Sequence, residues 1–222
     1  MGSYENGTNT RQTILQVCKQ LFYEKGFHET SYSDIYTLAH INRGTLYYHF
    51  KSKEEMRYEV KWEYLIHNKR IGEKYCPEKR YQYIIAMGMY WLQITNDENI
   101  RRFMLQCCAD FPVYTGKRDM TYFYHTIYDA MWGDFWEKKK IPQLSYASVY
   151  GYIMSCIRMI CEHPQNYDPL EMYEHCVKTS VTIWGVPQDL TDEIWENVTH
   201  YMAQIPKEYV NTMSWIFEES SP

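Results

Sequence analysis

Proline and glycine are scarce in this chain, eight and ten among 222 residues. So few breakers leave room for long regular elements, because each of the two disrupts helix and strand interiors. Sustained strand alternation with hairpin turns is missing, as are internal repeats and low-complexity tracts. Long hydrophobic runs are missing too: the most apolar segment, YIMSCIRMICEH, is interrupted by Arg158 and is too short to cross a bilayer. The opening MGSYENGTNT has neither a basic region nor an apolar stretch, so no signal peptide is expected. Seven cysteines, an odd number without regular spacing, fit reduced thiols and a cytoplasmic chain better than a disulfide framework.

Motifs for chemistry are equally sparse. There is no glycine-rich phosphate loop, no GxSxG and no HExxH, so no enzyme is expected. Cys161-Glu162-His163 and His175-Cys176 bring ligand types close, but neighbours on a helix point apart and neither has a structural zinc spacing. Neither a metal nor another cofactor is expected.

What the chain does have is apolar periodicity. Apolar residues make up 45% and aromatics 17%, enough for a packed core, and they recur at helical spacing almost throughout. Ile14, Val17, Cys18, Leu21 and Phe22 form one stripe that starts soon after Thr8, Asn9 and Thr10 and stops at Gly26. Ser31-x-x-Asp34 reads as a capping box before a short helix with Ile35, Leu38 and Ala39. A tight connection, HIN, leads to a second short helix from about Arg43 to Phe50. Ser52-x-x-Glu55 opens a longer helix to roughly Lys69, with Met56, Trp62, Leu65 and Ile66 along it. Beyond it, prolines 77, 112, 142, 164, 187 and 206 cut the chain into segments of helical length. The expected fold class is all-α, with a three-helix unit over residues 1–53 and a larger helical body over 54–222.

Charge divides at the same place. Residues 9–53 carry six basic side chains against three acids, net +3, whereas the remainder carries 17 against 25, net −8. A basic head on an acidic body points to a polyanion partner for the head alone. In RGTLYYHFKSKEEM, Leu46 and Phe50 share a helical face, which turns Tyr47, Tyr48 and His49 elsewhere. Two short helices joined by a tight turn, the second exposing polar and aromatic groups, suit the major groove of double-stranded DNA. Arg43 can bond guanine bidentately, and Gly44 lets the backbone come close. Thr45, Tyr47, Tyr48 and His49 can hold phosphates, as can Lys53 in the first turn of the next helix. The plainer reading of Tyr47 and Tyr48 packs their rings on the core with only the hydroxyls out.

The stretch TSYSDIYTLAHINRGTLYYHFKSKEEM, Thr30 to Met56, resembles the DNA-binding signature of the TetR family of bacterial transcriptional regulators. The resemblance rests on Gly44 through Phe50, on Ser52-Lys53, and on Ala39 ahead of the turn. It covers roughly the first quarter of the chain. His40 departs from it where the family has a turn glycine, and Asn42 where serine or threonine is common. The resemblance implies base contacts around Arg43 and Gly44 and phosphate contacts from Thr30, Thr45, Tyr47, Tyr48, His49 and Lys53. It also implies a homodimeric repressor on a near-palindromic operator, released by a small apolar or aromatic effector. Its dimer helices would lie near 146–162 and 169–184, with Val149, Ile153, Ile157, Ile160, Met172, Cys176, Thr179 and Ile183 in stripes that could instead be internal core.

An effector pocket is expected between about 56 and 136, where Trp62, Tyr90, Trp91, Phe103, Met104, Tyr124, Tyr128 and Trp132 stand out. The competing reading of such an aromatic stripe is ordinary core. Asp97, Asp110 and Asp119 are options for a cationic ligand. The alternative function is a DNA-binding dimer controlled by a protein partner or serving an architectural role, with no small effector.

Overall fold

Capping chemistry sets out the first elements. The computed structural model describes residues 2–109 and 143–210, and every regular element among them is helical. Helix α1, Gly2–Glu24, begins earlier than the expected start and runs through Thr8, Asn9 and Thr10. Gly26, at φ +100°, ends it, and its N–H bonds back to the Leu21 carbonyl at 3.2 Å. A side chain there would be strained and would also meet the Arg102 guanidinium, 3.2 Å from an ideal Cβ.

Helix α2, Tyr32–Leu38, starts on a complete capping box formed by Ser31 and Asp34. Helix α3, Arg43–His49, is capped by Asn42, whose Oδ1 accepts from the Thr45 N–H at 2.8 Å. Asparagine thus takes over the capping role of the serine or threonine common at this place. Helix α4, Lys53–Tyr75, is capped by Ser52 and extends six residues past the expected Lys69. Its second capping partner differs from the expected box, because the Glu55 carboxylate reaches the Lys51 N–H, at 2.7 Å.

The body adds α5, Lys79–Asn96, and α6, Glu98–Ala109, then α7, Gln143–Glu162, α8, Pro169–Ile183, and α9, Gln188–Met202. Single 3₁₀ turns occupy Pro164–Asn166 and Lys207–Val210. Helices α4 and α5 pack along each other, and α8 leans on α5, α7 and α9. One continuous apolar core runs from Ile14 and Phe22 in the head through Met56, Val60 and Tyr64 to Trp91, Ile157 and Val181.

One sequence expectation is corrected here, and one left with two readings is narrowed. Along α4 the buried face is Met56, Val60, Tyr64, Asn68 and Ile71, while Trp62, Leu65 and Ile66 lie half-buried beside it. On α7, Val149, Ile157 and Ile160 are fully buried within the chain, so this stripe serves the internal core.

Candidate nucleic-acid interface and cavity

Helix α3 stands on two anchors. Leu46 and Phe50, four apart, are both 0% exposed, and with Ile35 and Ala39 they fix the α2–α3 pair against the head's core. The opposite face is open: Arg43, Gly44 and Tyr47 are exposed, Thr45 and His49 are partly so, and Tyr48 reaches 84% exposure. Burying so large an aromatic is normally favourable, so leaving one this open makes it the outstanding feature of the head's surface. Tyr47 leans its ring on Tyr32, with centroids 5.4 Å apart, and Arg43 lies 5.5 Å over the Tyr47 ring. Both readings of these tyrosines therefore have a share, with Tyr47 half on a neighbour and Tyr48 fully out.

The turn before α3 holds its shape at a cost. His40 adopts φ +52°, the left-handed region that favours glycine. Its N–H bonds the Thr37 carbonyl at 3.2 Å, and the next N–H, of Ile41, bonds the Tyr36 carbonyl at 3.0 Å.

Thr30 and Lys53 are placed differently from what phosphate contact requires. Thr30 is 1% exposed and donates its hydroxyl inward to the Gly26 carbonyl at 2.7 Å. Lys53 directs its ammonium to the carbonyls of Thr30 and Phe27, at 2.8 and 2.9 Å, and over the Phe27 ring. Burial lowers its pKa from the ordinary lysine value. Its backbone N–H meets the Tyr32 hydroxyl at 2.9 Å. Lys53 therefore locks the α1–α2 connection onto the start of α4. Tyr32, which supports both Tyr47 and Lys53, carries no signal of that role in the sequence beyond its place next to a capping serine.

The positive charge counted in the sequence is redistributed by pairing. Lys19 meets Glu63 at 2.6 Å, Arg11 meets Glu59 at 3.4 Å and Lys25 meets Asp34 at 2.6 Å. The hydrogen bond from Lys25, helped by the Ser31 backbone and hydroxyl, lowers the Asp34 pKa to about 2. Arg43 and Lys51 have no ion pair among the described residues and flank α3 at its two ends.

Residues 14–60 match the bacterial regulatory proteins of the tetR family. The head therefore carries a segment similar to the tetR family. Among similar proteins, the HTH-type transcriptional regulator QacR of Staphylococcus aureus (strain Mu50 / ATCC 700699) is 36% identical over 81 residues, 34% of this chain and 43% of its own length. The HTH-type transcriptional regulator AcrR of Shigella flexneri is 38% identical over 69 residues, 31% of each chain. The chain thus spans less than half the length of these relatives, and the family match concerns the head. A crystal structure of a gamma-butyrolactone receptor (ArpA-like protein) aligns over 89% of this chain and 99% of its own, with 16% identity and a TM-score of 0.47.

The body holds a small apolar cleft that is partly open to solvent. Tyr83, Ile84, Met87 and Trp91 of α5 form one wall, and Ile153 of α7 another. Tyr173, Cys176, Val177, Ser180 and Val181 of α8, with Trp184 just beyond it, complete the lining. Of the residues expected to line a pocket, Trp91 does so. Tyr90, Phe103 and Met104 are buried core, Trp62 is half-buried on α4, and Tyr124, Tyr128 and Trp132 lie outside the described residues. Five of the eleven lining residues come from α8, for which a dimer seam and internal core were both expected readings. Asp97 proves to be the cap of α6, its Oδ1 accepting from the Asn99 and Ile100 N–H groups at 2.9 and 3.0 Å, while Asp110 and Asp119 fall outside the described residues.

Helix α6 joins body to head. Arg102 donates to the Tyr23 and Glu24 carbonyls at the end of α1, at 2.6 and 3.0 Å, and Gln106 Oε1 accepts from the Phe27 N–H at 2.9 Å. Arg57 of α4 donates to the Gln106 carbonyl at 3.0 Å. The far side of α6 packs on α7, which contributes to the cleft.

No helix among the described residues is long and apolar enough to cross a membrane.

Proposed function

We propose that this chain is a cytoplasmic DNA-binding transcriptional regulator, a repressor that holds a near-palindromic operator as a homodimer and lets go when a small apolar or aromatic effector binds. Residues 1–53 are the reading head and 54–222 the dimerising, sensing body. The observation that carries the reading is the open face of α3, rigidly seated on Leu46 and Phe50, in a segment that matches the tetR family. Arg43 reads a base edge, and Gly44 permits the approach. Thr45, Tyr47, Tyr48 and His49 bond phosphates and fix the register. Thr30 and Lys53 act on DNA indirectly, by holding the α1–α2 connection that supports α3.

The cleft among α5, α7 and α8 supports an effector site, because its lining is apolar and aromatic with few polar groups. Helix α6 supports a route from that site to the head, through α7 on one side and the end of α1 on the other. An effector that spreads or tilts the α7–α8 pair would move α6 and the two heads with it. Full switching, from 1:99 to 99:1, needs about 5.5 kcal/mol of preference for one state. The dimer would use the outer face of α7 and α8. Ser148, Gly151, Ser155 and Met159 lie exposed along α7, and Leu170 and Ile183 lie exposed on α8.

Binding of single-site variants to a selected duplex and to random DNA tests the reading. Arg43→Ala is expected to lose about 1–3 kcal/mol of discrimination at one base pair, and Tyr48→Ala to weaken both duplexes alike. Equal losses on both duplexes for Arg43→Ala would remove it as a base reader.

A further inference from the structure

The walls of the cleft among α5, α7 and α8 carry no formal charge. Among the described residues that line it there is no lysine, arginine, aspartate, glutamate or histidine. Ile84, Ile153, Val177 and Val181 supply aliphatic surface, and Trp91 and Tyr173 add rings whose centroids lie 6.3 Å apart. The Tyr173 hydroxyl is already committed, because it donates to the Ile84 carbonyl.

The hydroxyl of Ser180 is not committed. Ser180 lines the cleft from α8 and is 6% exposed, and its Oγ is enclosed with no hydrogen-bond partner among the described residues. A helical hydroxyl ordinarily bonds the carbonyl one turn back. Ser155 does so with Gly151 at 2.9 Å, Thr182 with Lys178 at 2.7 Å, Thr191 with Pro187 at 3.0 Å and Thr199 with Trp195 at 3.0 Å. Ser180 stands two residues before Thr182 on the same helix and makes no such bond. A buried hydroxyl left unmet is destabilising, and a molecule that brings an acceptor to it recovers the loss. A charge brought to the same place would lie among apolar side chains with no opposite charge to meet it.

We propose that the cleft takes an uncharged, ring-bearing molecule with one carbonyl-type acceptor, its ring against Trp91 and Tyr173 and its oxygen on the Ser180 hydroxyl. Ser180 is then the residue that sets specificity. It donates Oγ–H to the ligand oxygen, while the aliphatic and aromatic wall takes up the rest of the molecule. Ammonium ions and carboxylates are turned away by the same wall. The proposal rests on the reading of this cleft as the effector site and narrows the effector to a neutral acceptor.

Four probes of one shape test it: acetophenone, its oxygen-free isostere isopropenylbenzene, the benzoate anion and the benzamidinium cation. Each is titrated into the full-length protein and followed in NMR spectra by the indole N–H resonances of Trp91 and Trp184, assigned from Trp91→Phe and Trp184→Phe. Acetophenone is expected to shift both resonances and to bind about 3- to 10-fold more tightly than isopropenylbenzene, the span of one neutral hydrogen bond. The two ions should bind at least ~10-fold more weakly than the ketone. Ser180→Ala, at a helical position that alanine favours, should erase the ketone's advantage and leave isopropenylbenzene binding unchanged. A ketone advantage that survives in Ser180→Ala, tighter binding of either ion, or no binding of the ketone would overturn the proposal. Ketone binding that leaves operator affinity unchanged would remove the effector role and keep the ligand class. Operator binding by a protein that takes no ketone would do the reverse.

Discussion

At the scale of single residues, the head balances strain against a fixed turn. His40 occupies a left-handed conformation at the position where the resembled signature carries glycine. Replacing it by glycine relieves that strain but loosens the unfolded chain, so His40→Gly is expected to stabilise by up to about 1 kcal/mol. A β-branched residue tolerates this conformation poorly, and His40→Val should destabilise by about 1–2 kcal/mol. Urea denaturation of the three proteins checks both signs, and a glycine variant less stable than wild type would mean that the imidazole contributes more than it strains. Much of this region was legible in the sequence, because Ser31, Asp34, Asn42 and Ser52 act locally through side-chain bonds to nearby N–H groups. Thr30 and Lys53 were not legible as framework, since their partners are carbonyls 4 to 26 positions away, some of them distant in sequence.

At the scale of elements, helices were identifiable by period but their buried faces were not always so. The inner face of α4 includes Tyr64, with its polar hydroxyl, and Asn68, a polar residue that an apolar count passes over. They are buried because Gln93 of α5 accepts from both: from the Tyr64 hydroxyl and from Asn68 Nδ2, the latter at 2.9 Å. Gln93 in turn donates to the Tyr209 carbonyl at 2.9 Å, which ties the last 3₁₀ turn to the same cluster. The close approach of α4 and α5 depends on Gly72, where an added Cβ would lie 2.3 Å from the Gln82 carbonyl oxygen. Backbone on both sides leaves no soft atom to give way. Gly72→Ala is therefore expected to cost about 1–3 kcal/mol, partly offset by alanine's better helix propensity. Thermal unfolding should show a lower midpoint, and an unchanged or higher midpoint would mean that the two helices separate freely.

For the whole molecule, the division of labour lies between faces of the same helices. The inner faces of α7 and α8 complete the core and the cleft. The outer faces carry small and apolar residues, and an added Cβ at Gly151 would meet nothing within 4 Å among the described residues. If a second copy docks there, Gly151→Arg should yield monomers in sedimentation experiments at concentrations where wild type is dimeric, with helicity unchanged. A variant that sediments like dimeric wild type would move the interface elsewhere. The cleft was only partly legible because its walls come from segments some 90 residues apart, and proximity of that kind leaves no local pattern.

The most direct test of the central claim, that α3 reads operator DNA, is selection of bound duplexes from a random pool followed by a salt titration of the winner. The expected result is a near-palindrome with half-site centres ~34–36 Å apart, or a multiple of that, and an affinity that falls steeply with salt. A folded protein that enriches no sequence, or binds with no salt dependence, would contradict it.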